Sequence, residues 1–404
     1  ERTPWMDAVN HDRFILHGAG YSNRYQGGLD TEMHGIYSDD YVTTEVMTGH
    51  PAMVSDPFGR DCVRKYWLTH DLMRSLAMRQ IEGVQYVQGD LHHQQIRWSG
   101  GGEVFVNRGE NDWTVANLTL PKYGLTANIP TKDGILRAGI YRRDGVIVEQ
   151  SQSENIVYAN ARSSQGTLLR IRPKVTAIES ASGIAKQGQI VFTVAWDAID
   201  PIPPPYKPFL HFVDSEGEIV FQGSSTGPPF APNASGNLVL PAVARLPEAS
   251  QAGDEFELGV GLYEAGRGGR LAILGRDDGT RRIRLGKIRV LENRSIQWVP
   301  ETETVDEFAT RVNMEAKPID FGWVVTAGSL KAERQPQAVL LTPLPNEKAG
   351  MRYQIRSDRF PWPIPKPKRI VAIRESREVL WDRPLTDDGA FQHDEQAFAY
   401  RLEE

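Results

Sequence analysis

The spacing of apolar side chains along the chain changes character twice. Residues 13 to 20, Arg-Phe-Ile-Leu-His-Gly-Ala-Gly, read as a short buried strand running into a glycine turn, as where a parallel strand delivers a loop. A polar, aromatic and glycine-rich stretch follows from Tyr21 to Tyr37. Residues 39 to 47, Asp-Asp-Tyr-Val-Thr-Thr-Glu-Val-Met, have a β-branched centre that predicts a second strand. From Arg60 to Ile81 the apolar positions Val63, Tyr66, Trp67, Leu68, Leu72, Met73, Leu76, Ala77 and Ile81 recur at helical spacing without Pro or Gly, which predicts one long amphipathic helix. Strand, loop, strand and helix is the order expected at the end of a (β/α) barrel, although a doubly wound sheet has the same local order.

After Gly83 the period becomes two. Gln95-Ile96-Arg97-Trp98, the turn Ser99 to Gly102 and Glu103 to Asn107 predict a hairpin, and further short strands run to Ile156-Val157-Tyr158. A second β block, from about Leu168 to Leu291, carries hairpin patterns at 209–221 and 255–274 and predicts a β-sandwich. A third block has strands near 322–327, 338–341, 351–355, 369–374 and 378–381. The expected fold class is thus multi-domain and mainly β, with a partial α/β TIM-type barrel end at the N-terminus. The expected division is 1–83 barrel end, 84–165 small antiparallel module, 166–292 Ig-like sandwich and 293–404 mainly β domain. The structured look of Pro4-Trp5-Met6 adds the expectation that a barrel's earlier units precede Glu1.

Composition narrows the function classes. A formal net charge of −6 over 404 residues, with both signs interspersed, offers no basic face for nucleic acid. No run of about 18 apolar residues predicts a membrane span. Cys62, the single cysteine, excludes an intrachain disulfide framework and a multi-cysteine zinc site. It falls on the core side of the predicted helix, so packing is the expected role.

Candidate chemistry concentrates before residue 60. His17, Asp30, Glu32, His34, Asp39, Asp40, Glu45, His50 and Asp56 are interleaved with Tyr21, Tyr25, Tyr37 and Tyr41. A sugar site needs this mixture, because carboxylates and imidazoles hold hydroxyls while aromatic faces cover the apolar face of a pyranose. Glycosidic hydrolysis further requires one protonated and one ionised carboxyl. Glu45, Asp40 and Asp39 are the catalytic candidates, and His17, Tyr21, Tyr25, Glu32, His34, Tyr37 and His50 the substrate-binding ones. On a strand Asp39 and Glu45 would lie about 20 Å apart at roughly 3.3 Å per residue, so at most one would serve and its partner would come from another strand. The competing reading is that these acids cap loops and solvate turns. His92-His93 beside Asp90 looks metal-like, but neighbours on a strand face opposite sides. His17, Asp30, His34 and His50 include metal-ligand types but form no compact signature, so no metal or cofactor is expected, the alternative being an oxygen-rich structural calcium or a zinc. Most of the tryptophans are expected in cores.

The stretch from His34 to His50, with Val63 to Leu68, resembles the barrel end of large bacterial glycoside-hydrolase-like proteins. Gly102 to Trp113 and Leu120-Pro121-Lys122-Tyr123-Gly124 resemble the β-module that follows such barrels. Phe209 to Gly223 and Gly259 to Tyr263 resemble an accessory sandwich of polysaccharide-processing enzymes and of some glycosyltransferase extracytoplasmic domains. The resemblance implies a polysaccharide or glycan partner and a location that is extracellular, periplasmic or at the cell surface. It implies two functions: a glycoside hydrolase, or a non-catalytic carbohydrate-binding or cell-surface scaffold protein. Oligomeric state is left open.

Overall fold

The computed structural model describes residues 4–13, 36–54, 59–163, 168–181, 187–204, 206–215, 217–228, 230–264, 270–277, 281–303, 305–306, 311–364 and 366–404. They divide into two compact units, one from residues 4–163 and 311–404 and the other from 168–306. The expected mainly β character is observed in both.

Among the described residues, the first unit opens with the helices α1 (Trp5–Asn10), α2 (Asp39–Thr48) and α3 (Arg60–Leu76). Helix α3 forms where the pattern predicts a helix but stops earlier, since Ala77 leaves the helical conformation and Met78 adopts a left-handed φ of 64°. Helix α2 corrects the strand predicted over 39–47. Ser38 caps it by accepting from the Tyr41 amide at 3.2 Å, Asp39 and Asp40 occupy its first turn, and Gly49 closes it in the left-handed conformation. Eight of its ten residues are buried, so no amphipathic stripe marks it and the β-branched run misleads. The expected strand over 13–20 lies, from Phe14 onward, outside the described residues. No strand precedes Ile81 among the described residues, so an α/β barrel end is not displayed there.

From Ile81 onward the described residues of this unit form a fourteen-stranded antiparallel sheet, with Trp113–Val115 and Leu118–Leu120 paired beside its main path. The path passes from Ile81–Tyr86 through His93–Trp98, Gly102–Asn107, Leu125–Thr131, Gly134–Arg143, Val146–Gln152 and Ile156–Asn160. It continues without a break into Ser329–Arg334, Val339–Thr342, Ala399–Glu403, Arg369–Ile373 and Val379–Pro384. Ser329 pairs with Asn160 and Lys331 with Tyr158, so strands of the expected 84–165 and 293–404 blocks are hydrogen-bonded into one sheet. Long-range pairing of this kind leaves no local sequence signal. A four-stranded sheet, Ile319–Asp320, Val324–Thr326, Arg352–Ile355 and Ala390–Gln392, contributes Val324, Tyr353 and Phe391 to a core shared with Leu330, Leu341 and Tyr400. A second core sits between α2, α3 and the start of the large sheet, around Val46, Met47, Leu68, Leu72 and Trp98.

The described residues of the second unit form a sandwich-like eight-stranded sheet ordered Ile171–Ser180, Gln189–Ile202, Ala234–Arg245, Ile219–Ser225, Tyr206–Val213, Glu255–Glu264, Ile283–Val290 and Ile296–Pro300. Period two appears directly in Ile190, Phe192, Val194, Trp196 and Ala198, all buried in one core. The 209–221 hairpin forms as expected. The 255–274 hairpin is paired only at its turn end, by the antiparallel bridge Tyr263–Arg270 and the Leu271 amide donating to the Leu262 carbonyl at 3.0 Å, while Glu255–Glu264 pairs along its length with Tyr206–Val213 and Ile283–Val290.

Gly49 joins α2 to the core beneath it. Its φ is 73°, and a Cβ there would lie 2.5 Å from the Trp98 ring and 2.6 Å from His11 Nε2. Replacing Gly49 with Ala therefore combines backbone strain with overpacking and is expected to cost roughly 1–3 kcal/mol in urea unfolding. An unchanged midpoint would mean that Trp98 can withdraw freely.

Candidate functional site

Helices α2 and α3 carry most of the described candidate residues, and the sheet supplies their partners. Period counting places Val63, Tyr66 and Trp67 on the buried face of α3, yet Tyr66 is 49% exposed, while Arg64 and Lys65 are buried at 2% and 0%. Two cations inside a core demand ionised partners close by.

Arg64 finds Glu149, from Val146–Gln152, and the Tyr37 carbonyl. Glu149 also accepts from Arg162 at 2.7 Å and from Tyr158 and Asn160, each at 3.1 Å. Arg162 grips Asp39 with both guanidinium arms, each at 2.8 Å. Arg162 itself holds a left-handed φ of 61°, a conformation that a long side chain adopts only when its surroundings over-determine it. Burial would raise the carboxyl of Asp39, but Arg162 and then Arg64 hold it down at about 2. For Glu149 burial is likewise opposed and overcome by Arg64 and Arg162. Two carboxylates and two guanidiniums thus form a buried network joining α2, α3, the strand Val146–Gln152 and the residues just beyond Ile156–Asn160.

Glu45 belongs to a second cluster on another face of α2. Its Oε1 accepts from the Met53 amide at 2.8 Å, and its Oε2 lies 2.7 Å from Lys65 Nζ. Lys65 also donates to the carbonyls of Ile36 at 2.6 Å and Met53 at 2.8 Å, and its ammonium lies 5.4 Å from the Tyr41 ring and 6.0 Å from that of Tyr37. Burial lifts Glu45 to about 7 against the pull of Lys65, and burial also lowers Lys65. The carboxyl therefore exchanges its proton near neutral pH. His50 is near enough to act on Glu45 electrostatically, and its Nε2 sits 2.5 Å from Asp7 Oδ1.

Asp40 lies on a third face, 2.9 Å from Arg108, whose other arm donates to Thr44 Oγ1 at 2.5 Å. Tyr37, Asp39, Asp40, Glu45 and His50 are thus gathered on and around α2, with Asp39 and Glu45 in separate clusters. His17, Tyr21, Tyr25, Glu32 and His34 lie outside the described residues. Period counting missed Arg64, Lys65, Glu149 and Arg162; the one local hint is the cationic pair Arg64-Lys65 inside an otherwise apolar helical pattern.

Cys62 is buried in α3, as expected from its place on the stripe. His93 pairs with Asp90 at 3.2 Å and stacks on Trp113 at 4.6 Å. No group of three His, Cys, Asp or Glu side chains is arranged to hold a metal among the described residues. None of the helices among those residues is long and apolar enough to cross a membrane.

Removing one partner of the buried network leaves the other charges uncompensated. Arg162→Met is expected to cost about 3–5 kcal/mol in equilibrium unfolding. Asp39 gives a pH signature as well. Its folded value lies below its ordinary 3.8, so its stabilisation, about 2 kcal/mol, is present above pH 3.8 and disappears as pH falls through about 2. Asp39→Asn should flatten that acid limb in thermal scans; an unaltered limb would assign it to other carboxylates.

No family model matches the sequence, and no curated protein matches it. Among solved structures, the crystal structure of S. aureus TarS 217–571 aligns at 9% identity over 99% of this chain and 91% of that one. Its TM-score of 0.18 is too low for the likeness to carry a structural argument.

Proposed function

We propose that this chain is part of a carbohydrate-active enzyme of glycoside-hydrolase type, acting on a polysaccharide or glycan at or outside the cell envelope. The observation that carries the reading is Glu45, a buried carboxyl held near pH 7 beside Lys65, within the influence of His50. A glycosidase needs a carboxylic acid still protonated at working pH to assist the leaving oxygen, and burial is how such a value is reached. Asp39 has the opposite displacement, but both of its oxygens are engaged by Arg162, which suits a positioning role better than attack on a sugar. The ionised partner of Glu45 is then a different carboxylate. Reading residues 1–83 as a barrel end now rests on the 13–20 pattern, on α3 and on the sequence resemblance.

A non-catalytic carbohydrate-binding scaffold is favoured by a different observation: Glu45 is only 4% exposed and already ion-paired, as a purely structural acid would be. One substitution separates the two. If Glu45 is the acid, Glu45→Gln lowers turnover of a polysaccharide substrate by about 10²–10⁴-fold. Wild-type activity then declines as pH rises through about 7, where the carboxyl loses its proton. A lowered melting temperature with undiminished turnover would make the Glu45–Lys65 pair structural and leave the scaffold reading.

A further inference from the structure

Two sheet edges meet in the C-terminal part of the first unit. Val379–Pro384 ends the path of the large sheet, and Ala390–Gln392 ends the four-stranded one. Residues of both edge strands line a cleft of about 540 Å³, together with His393 and Asp394. That volume lies within the range of small-ligand sites, about 300–1,000 Å³.

The lining has a definite chemistry. Trp381 and Arg383 are two residues apart on one strand and so share a face. The Arg383 guanidinium lies over the half-buried indole, with its carbon 4.0 Å from the ring centroid. The indole N–H donates to Asp394 Oδ2 at 2.9 Å, which fixes the ring, while Asp394 Oδ1 accepts from the Gln396 amide at 3.0 Å. No carboxylate pairs with Arg383 among the described residues, and its side chain is exposed, as is that of Gln392.

His393 adds a donor. Tyr400 Oη accepts from the Asp394 amide at 2.8 Å and shares a hydrogen bond with His393 Nδ1 at 2.8 Å, which holds the imidazole in place. Burial keeps the ring below its ordinary pKa and hence neutral, with one N–H to offer.

We propose that this cleft is a saccharide-binding subsite that takes one or two neutral sugar units of a glycan chain. The Arg383 guanidinium covers the outer face of the indole, so recognition rests on the amide, imidazole and guanidinium donors, which match the hydroxyls of a pyranose. One positive and one negative side chain balance each other in the lining, which favours a neutral ligand over a uronate or sulfate. The exposed charges of Asp382 and Arg383 and the ring of Pro384 blunt the outer strand as a template for an added peptide. The inference rests on the carbohydrate reading above, but none of its residues belongs to the Glu45 cluster.

Affinity electrophoresis of the whole chain through gels containing a soluble glucan, galactomannan, xylan or polygalacturonate tests it. At least one neutral polysaccharide should retard the wild type, and Arg383→Ala with Gln392→Ala should weaken that binding by about tenfold or more. Both side chains are exposed, so the fold survives, and Trp381→Phe should give an intermediate loss. Equal retardation of wild type and double variant would overturn the subsite while leaving the carbohydrate reading intact. Retardation by polygalacturonate alone would overturn its neutral-sugar chemistry. If no polysaccharide retarded the wild type, the subsite would fall, and the catalytic reading would still be decided by turnover of Glu45→Gln.

Discussion

Four charges without access to water hold the first unit together. Asp39, Arg64, Glu149 and Arg162 come from two helices, a strand and the residues just beyond a strand, and none is stable in the core without the others. Their pairing fixes the rotation of α2 and α3 against the sheet. It also explains the left-handed backbone at Arg162, which places the guanidinium between Asp39 and Glu149. Hydrophobic contacts around Trp98 and Leu72 supply bulk burial, but apolar packing is tolerant of small rotations, whereas a bidentate ion pair is not.

The orientation imposed by that network has a chemical consequence. Lys65 follows Arg64 on α3, and turning Arg64 toward Glu149 turns Lys65 toward Glu45. Two carboxylates six residues apart on α2 end up with opposite proton affinities. Asp39 meets a fixed guanidinium fork and stays ionised, while burial dominates at Glu45 and carries it to about 7. One helix thus carries a structural carboxylate and a proton-exchanging one, with the difference set by what faces each.

Much of the β architecture was legible. The hairpins at 93–107 and 209–221 and the C-terminal strands occur close to their expected positions, because period two with glycine turns is a local property. The site was legible only in outline. Tyr37, Asp39, Asp40, Glu45 and His50 do gather near one another, but their spacing along a supposed strand gave the wrong geometry. Burial on nearly all sides of α2 removed the periodic stripe by which a helix is ordinarily read. Arg64 and Lys65 went unmarked within the helical pattern, since nothing nearby in sequence announces a carboxylate 85 residues away.

By itself the sequence determined which segments alternate as strands, the run that becomes α3, and the presence of an acidic, aromatic cluster before residue 60. Those outcomes depend on neighbours a few residues apart. Tertiary structure decided that 39–48 is a helix, that strands near 160 and 330 belong to one sheet, and which acids are clamped and which can exchange a proton. Each of these follows from desolvation and from pairing between distant residues, and their energies exist only once the chain has closed around them.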